Sequence, residues 1–167
     1  MNTKQNLLEL VCKQNACVEG VDELVGARVP RDFINLYFRY IDFCLAKKIP
    51  NLDFVKANFS EEVLKKNDIH LSAKASCFGG RRMAFIGSSD ADVTYVGYLV
   101  GRVYVADNSI LRINARGNAF VVVDAIDKAE VHATVSDNAK VIINAYRDAE
   151  VSGNATIVRK NTPTYEL

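Results

Sequence analysis

The chain has no surplus of charge of either sign: 21 lysines and arginines stand against 20 aspartates and glutamates in 167 residues. A protein held on nucleic acid by a broad positive field needs more than that, so the balance argues against a nucleic-acid partner. Long apolar runs are also missing. No stretch approaches the ~20 residues that span a bilayer, and residues 1–6 lack the apolar core of a secretion signal. These two absences set the expectation of a cytoplasmic protein with no membrane partner, its four cysteines held as thiols.

Metal-binding and catalytic side chains are sparse. There are two histidines. Cys12 and Cys17 are separated by four residues, while Cys44 and Cys77 are isolated. A zinc site usually shows two tight ligand pairs, so no metal is expected. Gly79-Gly80-Arg81-Arg82 has neither phosphate-loop nor dinucleotide-loop spacing and reads as a turn with two solvated arginines. Calcium-binding nonapeptides are absent, which makes Asp107, Asp127 and Asp137 turn formers in preference to ligands. His132 and His70 lack an evident orienting partner, and Cys44 falls on an apolar helix face as core packing. No catalytic residue and no cofactor are expected.

What the chain does have is a repeat of ten. Residues 109–115, 119–125, 129–135 and 139–145 each place a small or apolar side chain at every second position, as in Leu111, Ile113 and Ala115. Alternation with a period of two marks a strand with one buried face. Between the strands lie triplets rich in Asn, Asp and Gly, which suit turns. Fainter copies run upstream through Val93 and Val103, and the last copy degrades at Gly153.

A second period, of twenty, is superimposed. The first turn position is apolar at Ala106, Ile126 and Tyr146 but polar at Arg116 and Ser136; mid-strand, Val122 and Ile142 contrast with Arg112, His132 and Ser152. Two strands per coil produce this, because alternate units then stack on the same wall. An antiparallel meander explains the ten but not the twenty, and it needs a partner to cover its apolar face. The small alanines flanking each strand fit where two walls of a thin coil converge.

Upstream, the spacing predicts helices over about 3–17 and 21–25, and one long helix from Pro30 to about Lys47 with Pro50 beyond its end. Short helices follow over 52–58 and from an N-cap at Ser60. The expected architecture is α+β: a helical subdomain over 1–75, a junction over 76–88, a β-solenoid of parallel β-helix type over 89–158 with about two strands per coil, and a tail over 159–167 that is loose or covers an end.

The combination resembles a group of uncharacterised bacterial and phage-borne proteins. The segment Arg31-Asp-Phe-Ile-Asn-Leu-Tyr-Phe-Arg-Tyr-Ile-Asp-Phe-Cys-Leu, the Asn-Ala repeats and the ending Val158-Arg-Lys-Asn-Thr carry that resemblance over most of the chain. It implies a helical leader on a solenoid array and brings no activity or functional residue with it. The residues point to a non-enzymatic scaffold whose helical half docks a protein partner or another copy while the coil presents a rigid surface. The candidate surface consists of Phe120, Val122, Ile142 and Tyr146 with the polar ladder residues Asn114, Thr134 and Asn144. A carbohydrate-binding or phage-adhesion module is the alternative, and an enzyme with a site between the halves is the third reading.

Overall fold

A computed structural model describes residues 3–167, which divide into two compact units: one running to Val63 together with Tyr165–Leu167, the other Leu64–Thr164.

The first unit is helical. Its elements are α1 (Thr3–Lys13), α2 (Val18–Gly26), α3 (Pro30–Arg39), α4 (Ile41–Lys47) and α5 (Leu52–Asn58); α6 (Glu61–Lys66) straddles the boundary. Asn15 in the left-handed region (φ 57°) ends the first helix earlier than its apolar pattern suggests, since Asn tolerates that backbone. The second helix starts at Val18, where the Cys17 thiol accepts a hydrogen bond from the Gly20 N–H at 3.4 Å. The long helix expected from Pro30 is two helices. It breaks at Tyr40 (φ −112°, ψ 34°), and the Asp42 carboxylate accepts from the Phe43 N–H at 2.8 Å, a local bond that competes with helix continuation. Leu7, Leu24 and Ile49 form a core with Leu8, Leu10, Val11, Phe33, Leu36 and Phe54 packed around them.

The second unit is a parallel coil of two walls. One sheet runs β1 (Ile69–Leu71), β3 (Arg82–Ile86), β5 (Val100–Val105), β7 (Phe120–Ala125), β9 (Lys140–Ala145), β11 (Thr156–Arg159). The other runs β2 (Lys74–Phe78), β4 (Asp90–Tyr95), β6 (Ile110–Ala115), β8 (Glu130–Val135), β10 (Glu150–Gly153). Every pairing is parallel, and through the middle the partners are twenty positions apart: Val103 with Val123, Val123 with Ile143, Ile113 with Ala133. Antiparallel neighbours ten apart are absent from these sheets, which excludes the meander. The solenoid also reaches back to Ile69, so residues 69–86 supply three of its strands instead of a bare junction.

Inward side chains make one continuous core. Val103, Val123 and Ile143 stack on one wall and Val93, Ile113 and Ala133 on the other, all at most 1% exposed. Alanine occupies the strand ends, as at Ala91, Ala115, Ala125 and Ala145, where the walls converge and a larger group has no room.

The corners are built by acidic side chains. Asp107, Asp127 and Asp137 adopt left-handed backbone (φ 56–61°), and each carboxylate accepts from a backbone N–H one coil earlier: Gly87 at 2.8 Å, Asp107 at 3.1 Å and Gly117 at 2.9 Å. They are turn formers that also tie successive coils. At position 147 the ladder has Arg instead, and the tail takes over. The Thr162 carbonyl accepts from the Arg147 N–H at 2.9 Å and the Pro163 carbonyl from the Asp127 N–H at 3.4 Å. Residues 160–163 of the tail therefore run along this corner.

Register shortens at both ends. Ile69 pairs with Ala84 and Phe78 with Thr94, fifteen and sixteen apart, and Thr156 pairs with Ile142, fourteen apart. The irregular coils are fitted by specific side chains. Tyr95, fully buried, fills the space left by Gly79 and Gly101, where an added Cβ would meet its ring at 2.1 and 2.4 Å, and its hydroxyl donates to the Gly80 carbonyl at 2.9 Å. Gly153 (φ 100°) passes so close to the Ala133 carbonyl that a Cβ would sit 1.9 Å from it. Beyond it, the Asn154 amide takes the place of another strand, accepting from the Val135 N–H at 2.7 Å and donating to its carbonyl at 2.8 Å.

Candidate functional site

Because strands stack in register, outward side chains fall into rows up each wall. On the β3–β11 wall, Val100, Phe120 and Lys140 form one row. The next contains Arg82, Arg102, Val122, Ile142 and Thr156, and a third Tyr104, Asp124, Asn144 and Val158. On the opposite wall, Asp92, Arg112, His132 and Ser152 form a row beside Thr94, Asn114 and Thr134.

The candidate surface residues thus separate. Phe120, Val122 and Ile142 lie together. Asn144 shares their wall, but its amide donates to Asp124 at 2.6 Å, and that carboxylate, 1% exposed, also accepts from Arg102 at 2.9 Å. Asn114 and Thr134 are register partners on the other wall, exposed and adjacent. Tyr146 does not belong to an open surface. It is buried at 8% exposure at the corner that also buries Ala106 and Ile126, where the carbonyls of Thr162 and Pro163 bond the neighbouring turn residues.

The apolar surface extends beyond the residues that the period of twenty picks out. Tyr98 (84% exposed), Leu99 (40%) and Val100 (63%) sit at the corner leading into β5, next to Phe120 (37%), with Phe78 (70%) ending β2 at the same corner. Later repeats carry Asn118 and Asn138 where Tyr98 stands and Lys140 where Val100 stands. That substitution of apolar for polar at turn positions was the available signal. Monomer surfaces rarely gather so many large apolar groups in one place.

Among the described residues, the ionisable side chains make separate local contacts. On the polar wall, the Arg112 guanidinium bonds Asp90 and takes both oxygens of Asp92, at 2.7 and 3.2 Å, holding the Asp92 carboxyl below its usual range. His132 Nδ1 lies 2.9 Å from Ser152 Oγ, both exposed on a flat face. At the start of the coil, His70 stacks on Phe85 (ring centroids 4.7 Å, 9° between planes), 7% exposed, with no hydrogen-bond partner for either ring nitrogen among the described residues. Burial lowers its pKa against the opposing effect of Asp68, and burial raises the pKa of Cys77 and of Asp68. A raised thiol pKa is the opposite of what activates a cysteine nucleophile. Cys44 is driven up to about 12 by burial, as a core thiol should be.

A cleft of about 310 Å³ in the helical unit is lined by Glu23, Ala27, Asp32, Asn35, Leu36 and Arg39, and the Arg39–Glu23 ion pair lies across it. No group of three or more His, Cys, Asp or Glu side chains among the described residues is placed to hold a metal ion. No described helix is long and apolar enough to cross a membrane. Comparisons with protein-family models, with curated proteins and with solved structures return no match to this chain.

Proposed function

We propose that the protein is a non-enzymatic interaction scaffold. The coil holds an apolar surface rigid, and a protein partner, or a second copy, docks against it. The observation that carries this reading is the run of exposed or half-exposed apolar side chains through Val100, Phe120, Val122 and Ile142, spaced by register on one wall. A strand ladder spaces such groups about 4.8 Å apart and lets them move little, so a partner meets a pre-organised surface. The helical unit adds a second apolar feature: Val18 (77% exposed) and Val25 (53%), seven residues apart on α2.

The amide ladders support a glycan reading less well, since Asn144 is spent on Asp124 and Asn154 on the backbone of Val135. The test is mass in solution and capture of protein partners from the native cell, for the natural chain and for Phe120→Glu. A defined complex lost in the variant supports the scaffold. A strict monomer that captures nothing contradicts it.

A further inference from the structure

The exposed corner is a step in the coil. Phe78 is level with Thr94, and Arg82 with Arg102. Between those levels the first coil crosses with three residues, 79–81, where the next coil uses seven, 95–101. Nothing in the first coil corresponds to Val96–Leu99.

In later coils this corner is tied to the preceding one by backbone bonds. Asn118 donates to the Gly97 carbonyl at 2.7 Å and Phe120 to that of Leu99 at 2.9 Å; Asn138 donates to Gly117 at 2.9 Å and Lys140 to Ala119 at 2.8 Å. Tyr98 and Val100 hold the equivalent positions one coil earlier, and among the described residues their N–H groups make no such bond to the backbone of the first coil. The step therefore joins two backbone donors, two residues apart, to the side chains of Tyr98, Leu99, Val100 and Phe120. Arg81 and Arg82, both exposed, flank it.

We propose that this step docks an extended peptide segment of a partner protein, apolar along its length and acidic at its flank, lying along the corner as the rung the first coil omits. Backbone carbonyls two residues apart in an extended segment match the two donors, which is recognition by strand addition. The side chains supply apolar contact, and the arginines select acidic over basic flanks. Two copies meeting through this corner would bring their arginine pairs toward each other, which disfavours self-association here.

This inference rests on the scaffold reading and narrows it to one site and one chemistry. The test uses the full chain and a library of eight-residue peptides with alternating Val, Thr and Tyr in the centre and either Glu or Lys at the ends. Bound peptides are then followed by amide hydrogen exchange. The expected result is enrichment of Glu-ended members and exchange at the Tyr98 and Val100 amides slowed at least about tenfold on binding. Arg81→Glu with Arg82→Glu should weaken binding about tenfold and shift preference toward Lys ends, with Tyr98→Ala as a second truncation, at a largely exposed residue, that also weakens it. Binding indifferent to end charge, no change in exchange at those two amides, no enrichment at all, or a self-dimer that protects this corner would each overturn the proposal. If partner capture still depends on Phe120 while the corner amides stay unprotected, the step fails and the scaffold stands.

Discussion

The middle coils and the end coils of the same solenoid are built by different means. In the middle, partners are twenty apart, interior positions carry aliphatic side chains, mostly Val, Ile or Ala with Leu111, and turn aspartates tie one coil to the next. At the ends the register drops to between fourteen and sixteen, and single residues make the fit: Tyr95 against Gly79 and Gly101, Gly153 under Ala133, Asn154 in place of a strand. Regularity produces a rigid body whose rows are interchangeable. Departures from it produce the features found once, including the apolar corner.

The contrast can be broken first at its centre. Ile143→Ala removes a fully buried side chain from the stack and should cost about 2–5 kcal/mol, read as a lowered midpoint in urea unfolding. The end coil should respond in the opposite sense to added bulk. Gly101→Val installs the residue the repeat prefers, yet its Cβ lies 2.4 Å from the Tyr95 ring. A loss of about 1–3 kcal/mol is expected, and Gly101→Val combined with Tyr95→Ala should lose less than the sum of the two single losses. Additive losses would mean that the two positions do not share space.

The turn ladder sharpens the comparison further. Asp127→Ala loses the bond to the Asp107 N–H and keeps a left-handed backbone without a side chain suited to it, at about 2 kcal/mol in all. Asp127→Gly loses the side chain's interactions without that backbone strain and should cost about half as much. Equal costs would show that the backbone conformation contributes nothing.

Acid should weaken the first coil through His70. Its folded pKa lies below the ordinary histidine value because the ring is buried. The unfolded chain therefore takes up the proton first, and stability is full above pH ~6.5 and falls as pH drops through that value toward the folded pKa. His70→Leu should flatten this part of the stability curve between pH 7 and 5. A variant with the same slope would assign it to other groups. The smallest effect belongs to the polar wall: Asn114→Ala, an exposed change, should stay within about 0.5 kcal/mol of the natural chain.

Much of the coil was legible because its signals are periodic. Val122 and Ile142 against Arg112 and His132 disclosed the period of twenty, and with it parallel stacking and two walls. Residues 69–78 were illegible because their offsets to the next strands are fifteen and sixteen, so no window of twenty aligns them, whereas residues 82–85 keep that offset to β5. Tyr146 was misplaced for another reason. An apolar turn residue looks the same in sequence whether solvent or a returning tail lies beside it, and only the carbonyls of Thr162 and Pro163 reveal the tail. The break at Tyr40 escaped notice because Ile34, Phe38, Ile41 and Leu45, all buried, keep helical spacing straight through it.

In the proposed scaffold one wall of the coil meets a protein partner while the other faces solvent. A photo-crosslinking residue placed at Phe120 or, in a second chain, at Thr134 tests that asymmetry inside the native cell. Discrete protein crosslinks from position 120 and none from position 134 are the expected result. Crosslinks from position 134 alone, or from both positions alike, would contradict it.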